Sequence, residues 1–322
     1  MIVSARDHRG EVQSGVLTCG HPPCGATYPI VAGIPKMLDT KREPPSKLTQ
    51  HVMRNFGFEW NQYARFGWDD PDYDIEREQR VFHLKSQLAP EDLVDRLVLD
   101  AGCGNGRYSH WAAKCGGRVI GVDVSEAVEP AARNTADLPN VQIVQADLFN
   151  LPFADGTFDA VFSIGVLMQT GDARRAFRSL VSVLGPDGNL AVHVYGKGNA
   201  FYEAIDRVLR MWTTRMSLDS LQRFTARAYR LRGWLQRLGL IGIVGKLVRL
   251  DSHPHCIFDW YAAPVASHHT YPEVKRWFAE CGLEVQRTRE TPLSWPRRAR
   301  QALVGGPGTV SVLGRSVPAP PQ

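Results

Sequence analysis

Residues 98–113, VLDAGCGNGRYSHWAA, decide the fold. An apolar run ends in Asp100, glycine follows at every second position, and a helical pattern begins at Arg107. Glycines let the chain turn sharply and let a ligand approach the backbone, and a helix N-terminus presents free N–H groups. The dinucleotide pattern G-x-G-x-x-G would require glycine at position 107, where this chain has arginine. The stretch therefore predicts a strand–loop–helix ligand site that differs from the dinucleotide type.

Apolar runs of strand type alternate with helical patterns through the middle of the chain. The runs lie at 96–100, 118–123, 141–147, 158–164 and 189–195, with two later ones near 283–291 and 309–317. Such alternation is typical of βαβ units, in which helices cover both faces of a parallel sheet. The sequence therefore predicts an α/β, doubly wound fold.

Three acidic residues end the first three of these runs, namely Asp100, Asp123 and Asp147. Ligands of open α/β sheets bind at the carboxyl ends of the strands, so the three carboxylates are expected along one rim. Asp100 could serve an ammonium group, Asp123 could accept hydrogen bonds from ribose hydroxyls, and Asp147 could accept one from an adenine amino group.

Residues 97–195 resemble the class I S-adenosylmethionine-dependent methyltransferases, in particular the small-molecule, type 11-like group. Four motifs carry the resemblance in the right order: LVLDAGCGNGRYSHWAA, VIGVDVSEAVEPAARN, VQADLFNLPFADGTFDAVFSIGVL and VLGPDGNLAVHVY. The resemblance implies S-adenosylmethionine as cofactor and a Rossmann-like seven-stranded sheet in the order 3-2-1-4-5-7-6, with the last strand antiparallel. It also implies the cofactor-binding residues Asp100, Ala101, Gly102, Gly104, Asp123, Val124, Asp147, Leu148, Ile164, Gly165 and Gln169.

Residues that would act on the acceptor are less clearly marked. Many small-molecule members read GVLHHTPD after the fourth strand, whereas this chain reads GVLMQTGD at 165–172, which leaves the acceptor chemistry open. The candidate catalytic residues are Tyr195 and His193 on the fifth strand and His268 before the last helix. Methyl transfer is an in-line displacement, so positioning can supply much of the rate and a weak base can suffice.

Composition divides the chain into five parts. We expect a small appendage at 1–45, a helical lid at 46–95, the cofactor-binding core at 96–200, a basic helical insertion that caps the acceptor at 201–255, and the completion of the core at 256–322. In the lid, Trp60, Tyr63 and Arg65 are expected near the pocket.

The appendage is similar, around YPIVAGIP, to a small zinc-ribbon domain found alone as a methyltransferase activator and fused to bacterial methyltransferases. A complete ribbon needs four ligands, and only Cys19 and Cys24 stand in the right area. A degenerate ribbon without metal is therefore predicted. The first residues lack an apolar core of signal-peptide length, so a cytoplasmic location and free thiols are expected.

Positive charge concentrates between residues 201 and 250, where ten Arg and Lys stand against three acids, within a chain of net charge +5. Three interpretations are open. The segment can form a solvated basic face, it can contact a membrane surface or a phosphate-bearing or lipid-linked acceptor, or it can bind RNA. No apolar run is long enough for a transmembrane segment. Nucleic acid is disfavoured because no RNA-binding module is recognisable.

These observations predict methyl transfer from S-adenosylmethionine to a small or lipid-like acceptor, such as a glycan or secondary metabolite, with oxygen favoured as the methylated atom. An RNA methyltransferase and a non-catalytic cofactor-binding scaffold are the alternatives.

Overall fold

The computed structural model describes residues 2–6, 10, 12–20, 24–38, 45–68, 75–290 and 308–317. Its first part is an antiparallel four-stranded meander of β1 (Ile2–Arg6), β2 (Val12–Thr18), β3 (Thr27–Val31) and β4 (Ile34–Pro35). Cys19 and Cys24, on the connection between β2 and β3, form no disulfide within the described ranges. The resemblance of this part to a zinc ribbon stays a prediction.

Two helices connect the meander to the main sheet, α1 (Lys47–Gln62) and α2 (Ile75–Ser86). The seven strands of that sheet are β5 (Leu97–Ala101), β6 (Arg118–Asp123), β7 (Val141–Gln145), β8 (Phe158–Ile164), β9 (Leu184–Tyr195), β10 (Leu283–Thr288) and β11 (Thr309–Ser316). They are ordered β7-β6-β5-β8-β9-β11-β10, and β11 runs antiparallel to both of its neighbours. Counted within the main sheet, this is 3-2-1-4-5-7-6, so the predicted fold class and strand order are confirmed.

Eight further helices complete the described fold: α3 (Arg107–Lys114), α4 (Val128–Asn134), α5 (Ala173–Ser182), α6 (Ala200–Thr213), α7 (Leu218–Arg237), α8 (Ile241–Val244), α9 (Pro254–Ala262) and α10 (Tyr271–Glu280). Successive strand residues point to opposite faces, so Val98 and Leu99 of β5 belong to separate apolar cores on the two sides of the sheet. None of the helices in the described ranges combines the length and hydropathy that a membrane span requires.

One strand begins earlier than its sequence pattern predicts. The sequence pattern places this strand at 189–195, but β9 already begins at Leu184, which pairs with Phe158, and so includes the turn-type residues Gly-Pro-Asp-Gly at 185–188. A register shift between Phe158 and Ala160 accommodates the extra residues, and Asp187 takes a positive φ of 58°. Aspartate tolerates this left-handed conformation better than most residues, so the turn residues form a bulge within the strand.

A substitution at the contact between α10 and β11 would test how α10 packs on this end of the main sheet. A Cβ on Gly314 would lie 2.3 Å from Cδ1 of the fully buried Phe278. We expect Gly314→Ala to lower the free energy of unfolding by about 1–3 kcal/mol, because the ring must move. Gly233→Ala on the exposed side of α7 meets no atom within 4 Å and is the control, with no loss expected. Urea unfolding followed by fluorescence measures both, and equal stability of the two variants would contradict this packing.

Candidate active site

A cavity of about 910 Å3, including its mouth, lies at the carboxyl ends of β5, β6 and β8 and just beyond β7. This is the edge at which open α/β sheets bind ligands. Nine of the eleven predicted cofactor-binding residues line it: Gly102, Gly104, Asp123, Val124, Asp147, Leu148, Ile164, Gly165 and Gln169. The remaining two, Asp100 and Ala101, are buried directly behind the glycine loop.

The glycine loop between β5 and α3 has no room for side chains at two positions. Gly102 has φ +90°, and a Cβ there would lie 2.3 Å from a methyl group of Val166. Gly104 has φ +53°, and a Cβ there would lie 2.9 Å from the indole of Trp60. Both the left-handed backbone and the close approach of neighbours therefore require glycine.

Two carboxylates at the rim are held by hydrogen bonds with nearby backbone groups. Asp123 accepts from the Gly104 N–H at 3.1 Å through Oδ2, and from the Ser125 N–H and hydroxyl at 2.9 and 2.7 Å through Oδ1. Burial raises the pKa of Asp123, and the same hydrogen bonds oppose the rise. Asp147 accepts from the Phe149 N–H at 2.9 Å. The contacts orient both carboxylates at the cavity edge.

Asp100 differs from the other two acids because it is 1% exposed. Its Oδ2 accepts a hydrogen bond of 2.7 Å from the Ser109 hydroxyl on α3. Burial raises the pKa of Asp100 to about 7, and the Ser109 hydrogen bond counteracts part of the effect. Its ionisation therefore lies near neutral pH.

Helix α1 forms the wall facing the loop. Thr49, Val52, Phe56 and Trp60 recur at helical spacing and line the cavity from this one helix. Of the three lid residues expected near the pocket, Trp60 lies there. Tyr63 packs on His255 and Phe258 instead, and Arg65 donates to Asn134 Oδ1 at 3.0 Å.

A second cavity adjoins the first and shares Trp60, Arg107, Ile164, Gly165 and Asp259 with it. Beyond the shared wall it is lined by helices α2 and α9, by the end of β9 and by Arg249. A ligand in the second cavity would thus contact the same wall as a ligand in the first.

A hydrogen-bonded chain of three side chains lies at this shared wall. Gln169 donates to the Tyr195 hydroxyl at 3.3 Å, and Tyr195 donates to Asp259 Oδ2 at 3.1 Å. Burial, then the nearby Asp259, raises the pKa of Tyr195 well above its ordinary value. Burial also raises the pKa of Asp259, against the hydrogen bond from Tyr195. Asp259 is therefore the carboxylate of the chain, and its raised pKa makes it a better proton acceptor than an exposed aspartate.

The two histidine candidates occupy different places. His193 lines the second cavity and shares a hydrogen bond of 2.8 Å with Ser311 Oγ. Burial, followed by Lys85 and Arg289, lowers its pKa well below the ordinary value. His268 contacts Glu203 at 2.6 Å, stacks on Trp260 and lines a separate cavity beside α6. The structure thus brings Tyr195 and His193 to the second cavity, whereas His268 lines the separate cavity beside α6.

Several residues of the site were missed by the sequence analysis. Asp259 is the most informative, because it is the single acid in the apolar run IFDWYAA at 257–263, a signal that the sequence contained. Arg107 and Arg249 had no such signal. Arg107 pairs with Glu78 at 3.5 Å and Arg249 with Asp251 at 2.7 Å, contacts that only the folded chain creates.

Comparisons with known proteins concern the segment that carries the glycine loop and the acidic rim. Residues 99–192 match the family model described as Methyltransferase domain. A probable S-adenosylmethionine-dependent methyltransferase of Mycobacterium tuberculosis is 35% identical over 127 residues, 38% of this chain and 44% of the relative. The probable tRNA methyltransferase 9B of Mus musculus is 36% identical over 126 residues, 38% of this chain and 27% of the relative.

Among solved structures, the cyclase SpnF superimposes with a TM-score of 0.50 at 16% identity, covering 85% of this chain and 97% of that chain. This likeness concerns the fold alone. The chain covers less than two thirds of the length of either curated relative. The matched residues run from β5 to β9 and are a class I S-adenosylmethionine-dependent methyltransferase domain, an enzyme class whose cofactor is S-adenosylmethionine. The family and the cofactor implied by the sequence resemblance are confirmed.

Asp100 makes the stability of this domain depend on pH. An unfolded aspartate has a pKa of about 3.9, against about 7 in the fold, so the folded chain binds this proton more tightly. The free energy of unfolding should therefore fall as pH rises between these two values, by at most about 1.4 kcal/mol per pH unit from this residue. We expect Asp100→Asn to flatten this slope. Urea unfolding at a series of pH values measures it, and equal slopes in both proteins would contradict the raised pKa.

Proposed function

We propose that the chain transfers a methyl group from S-adenosylmethionine to an oxygen atom of a small or lipid-like acceptor, a class that includes glycans and secondary metabolites. The observation that carries the proposal is the position of Asp259, whose side chain lies between the cofactor-type cavity and the second cavity. A carboxylate at that boundary can serve an acceptor hydroxyl next to the site of methyl transfer.

The first cavity fits the cofactor. At Gly102 and Gly104 a Cβ would clash with neighbouring side chains, so the loop has bare backbone where a ligand can approach closely. We assign Asp100, Ala101, Gly102 and Gly104 to the methionine part and Asp123 with Val124 to the ribose. The adenine part is assigned to Asp147 and Leu148, and Ile164, Gly165 and Gln169 are assigned to the lining of the cofactor pocket. When bound, S-adenosylmethionine supplies a methyl group activated by a positively charged sulfur.

The second cavity is assigned to the acceptor. Its wall includes the aromatic side chains of Trp60, Phe66 and Trp260, which favour an apolar body. Two of its cationic side chains, Arg107 and Arg249, are already paired with carboxylates. A molecule with an apolar body and a hydroxyl group is therefore the acceptor that we assign to this cavity.

Asp259 is assigned as the proton acceptor and Tyr195 as the group that positions it. The acceptor hydroxyl would give its proton to a carboxylate oxygen of Asp259 as the new oxygen–carbon bond forms, while the methyl–sulfur bond of S-adenosylmethionine would break and S-adenosylhomocysteine would leave. The Tyr195 hydroxyl, held by Gln169, keeps the carboxylate in place. His193 lines the same cavity, shares its hydrogen bond with Ser311 and is assigned to the cavity lining, and His268 is assigned no part in the chemistry.

Contact with a membrane surface through residues 201–250 belongs to the same proposal, because a lipid-like acceptor would be taken up from such a surface. RNA is the second candidate acceptor. The similarity to a probable tRNA methyltransferase and the exposed arginines of 201–250 favour it.

Asp123 gives the first test of the cofactor assignment. Calorimetric titration with S-adenosylmethionine should show micromolar binding to the natural chain, and Asp123→Asn should weaken it by about 10- to 100-fold, because a charged hydrogen bond to the ribose is worth about 1.5–3 kcal/mol. Asp155→Asn, on an exposed turn away from the cavity, is the matched control and should bind normally. Undiminished binding by the Asp123 variant would contradict the assignment.

Asp259 gives the test of the acceptor site. Mass spectrometry should first identify the methylated product from a panel of phenols, hydroxylated lipids, sugars and transfer RNA. With that acceptor, Asp259→Asn should lower kcat by about 10²- to 10⁴-fold, with the affinity for S-adenosylmethionine nearly unchanged. Tyr195→Phe should have a smaller effect.

The identity of the methylated product distinguishes between the candidate functions. Methylated transfer RNA, formed with a strong dependence on salt, would replace the small-molecule proposal. Binding of the cofactor without product from any member of the panel would favour the non-catalytic scaffold, and full activity of Asp259→Asn would remove the proton-acceptor assignment.

A further inference from the structure

Helices α6, α7 and α8 carry an unusual concentration of exposed apolar side chains. Ten of the fourteen large apolar residues that are exposed in the described ranges lie between positions 201 and 247. They are Phe201, Val208, Met211, Trp212, Leu231, Trp234, Leu238, Leu240, Ile243 and Leu247. We call this set the α6–α8 face. Exposed apolar residues scattered singly are ordinary, whereas a concentration of this size marks an interaction surface.

The polarity of α6 is the reverse of that expected for a helix on a protein surface. Its buried side includes Asp206 and Arg210, which form an ion pair of 2.7 Å and contact Trp260. Its outer side exposes Phe201 and Trp212 to 71% and 61%. A surface helix normally turns its apolar stripe inward. The outer stripe of α6 is therefore available to a partner and contributes little to the core.

Helices α6, α7 and α8 follow one another and fold back as a helical hairpin, in which α6 and α7 both pack against α9. At the turn, the rings of Trp212 and Phe224 meet edge to face with centroids 6.2 Å apart. At the open end, Asn199 donates to the Lys246 carbonyl at 3.3 Å, which joins the start of α6 to the segment after α8. The chain thus runs away from the open end of the hairpin along α6 and runs back to it along α7 and α8. On α7, Leu231, Trp234 and Leu238 follow helical spacing along one side.

Charge decides what kind of partner suits the α6–α8 face. Seven basic residues of the hairpin are exposed: Arg207, Arg215, Arg223, Arg227, Arg230, Arg237 and Lys246. Of its three acids, Asp206 is paired with Arg210 and Glu203 with His268, which leaves Asp219 as the exposed one. A second copy of this chain would place these cations against one another. A partner with both an apolar interior and negative charge at its surface matches this pattern.

We propose that the α6–α8 face docks on the surface of an anionic lipid bilayer, with the helices lying in the interface. Tryptophan, leucine and isoleucine side chains enter the boundary between headgroups and acyl chains, and long arginine side chains reach the phosphates. This inference rests on the proposed function in one respect only, which is that a lipid-like acceptor would reach the protein from the bilayer at this surface. The docking itself requires neither cofactor nor turnover.

Vesicle co-sedimentation of the full chain, without S-adenosylmethionine, tests the proposal. Vesicles of phosphatidylcholine with phosphatidylglycerol should bind the protein, and vesicles of phosphatidylcholine alone should bind it at least about tenfold more weakly, because each basic residue near an anionic surface contributes to the attraction. The double variant Trp212→Ser with Trp234→Ser should lose about tenfold or more in affinity, because its apolar anchors are gone.

The matched control replaces two apolar residues of similar exposure outside the face, Leu84→Ser with Val94→Ser, and should bind vesicles like the natural chain. Unchanged thermal unfolding would establish that each variant is folded. No binding to anionic vesicles, or equal binding by the Trp212 and Trp234 variant, would overturn the proposal. Self-association that this variant abolishes would assign the face to a second copy instead.

The test of vesicle binding and the test of cofactor binding have independent outcomes. A chain that binds S-adenosylmethionine in solution but no vesicles would retain the proposed methyl transfer and lose the docking surface. A chain that binds vesicles but not the cofactor would do the reverse.

Discussion

The hydrogen bond from the Gly104 N–H to Asp123 Oδ2 is the contact on which the cofactor cavity depends. It joins the loop after β5 to the end of β6, and the same carboxylate is fixed from its other oxygen by Ser125. With the loop held, Trp60 from α1 and Val166 from the segment after β8 approach the bare backbone of two glycines. Four separate parts of the chain thus meet at one small loop, and a side chain on either glycine would separate them.

The insertion between β9 and α10 extends this arrangement beyond the cofactor. Helix α9 packs against α1 and α7, and Asn55 of α1 donates to the carbonyl of Ala262 at 2.7 Å. That docking brings Asp259 to within hydrogen-bonding distance of Tyr195 at the end of β9. The acidic side chain is partly buried yet tolerated, because it accepts a hydrogen bond and lies where two cavities meet. The insertion therefore contributes to the site as well as covering it.

The two sides of the insertion have different physical roles. The side facing the core contains paired charges, such as Asp206 with Arg210, that fix the hairpin against Trp260. The side facing outward combines apolar side chains with unbalanced positive charge. Removing apolar surface from water is favourable, so an exposed face of this kind implies a partner outside the chain. The proposed acceptor cavity and the outer face are thus connected through a single group of helices.

Local patterns in the sequence predicted the alternation of strands and helices, the glycine loop and the acids at the strand ends. The resemblance to a methyltransferase family supplied the strand order and eleven site residues, nine of which line the first cavity. Only the tertiary structure decided which distant residues share a wall. Asp259 lies 64 positions from Tyr195, and Trp60 more than 40 from Gly104, so no local spacing reports their contacts. The outward turn of α6 was equally hidden, because its apolar residues suit a buried face as well as an exposed one, and only packing against α9 selects between them.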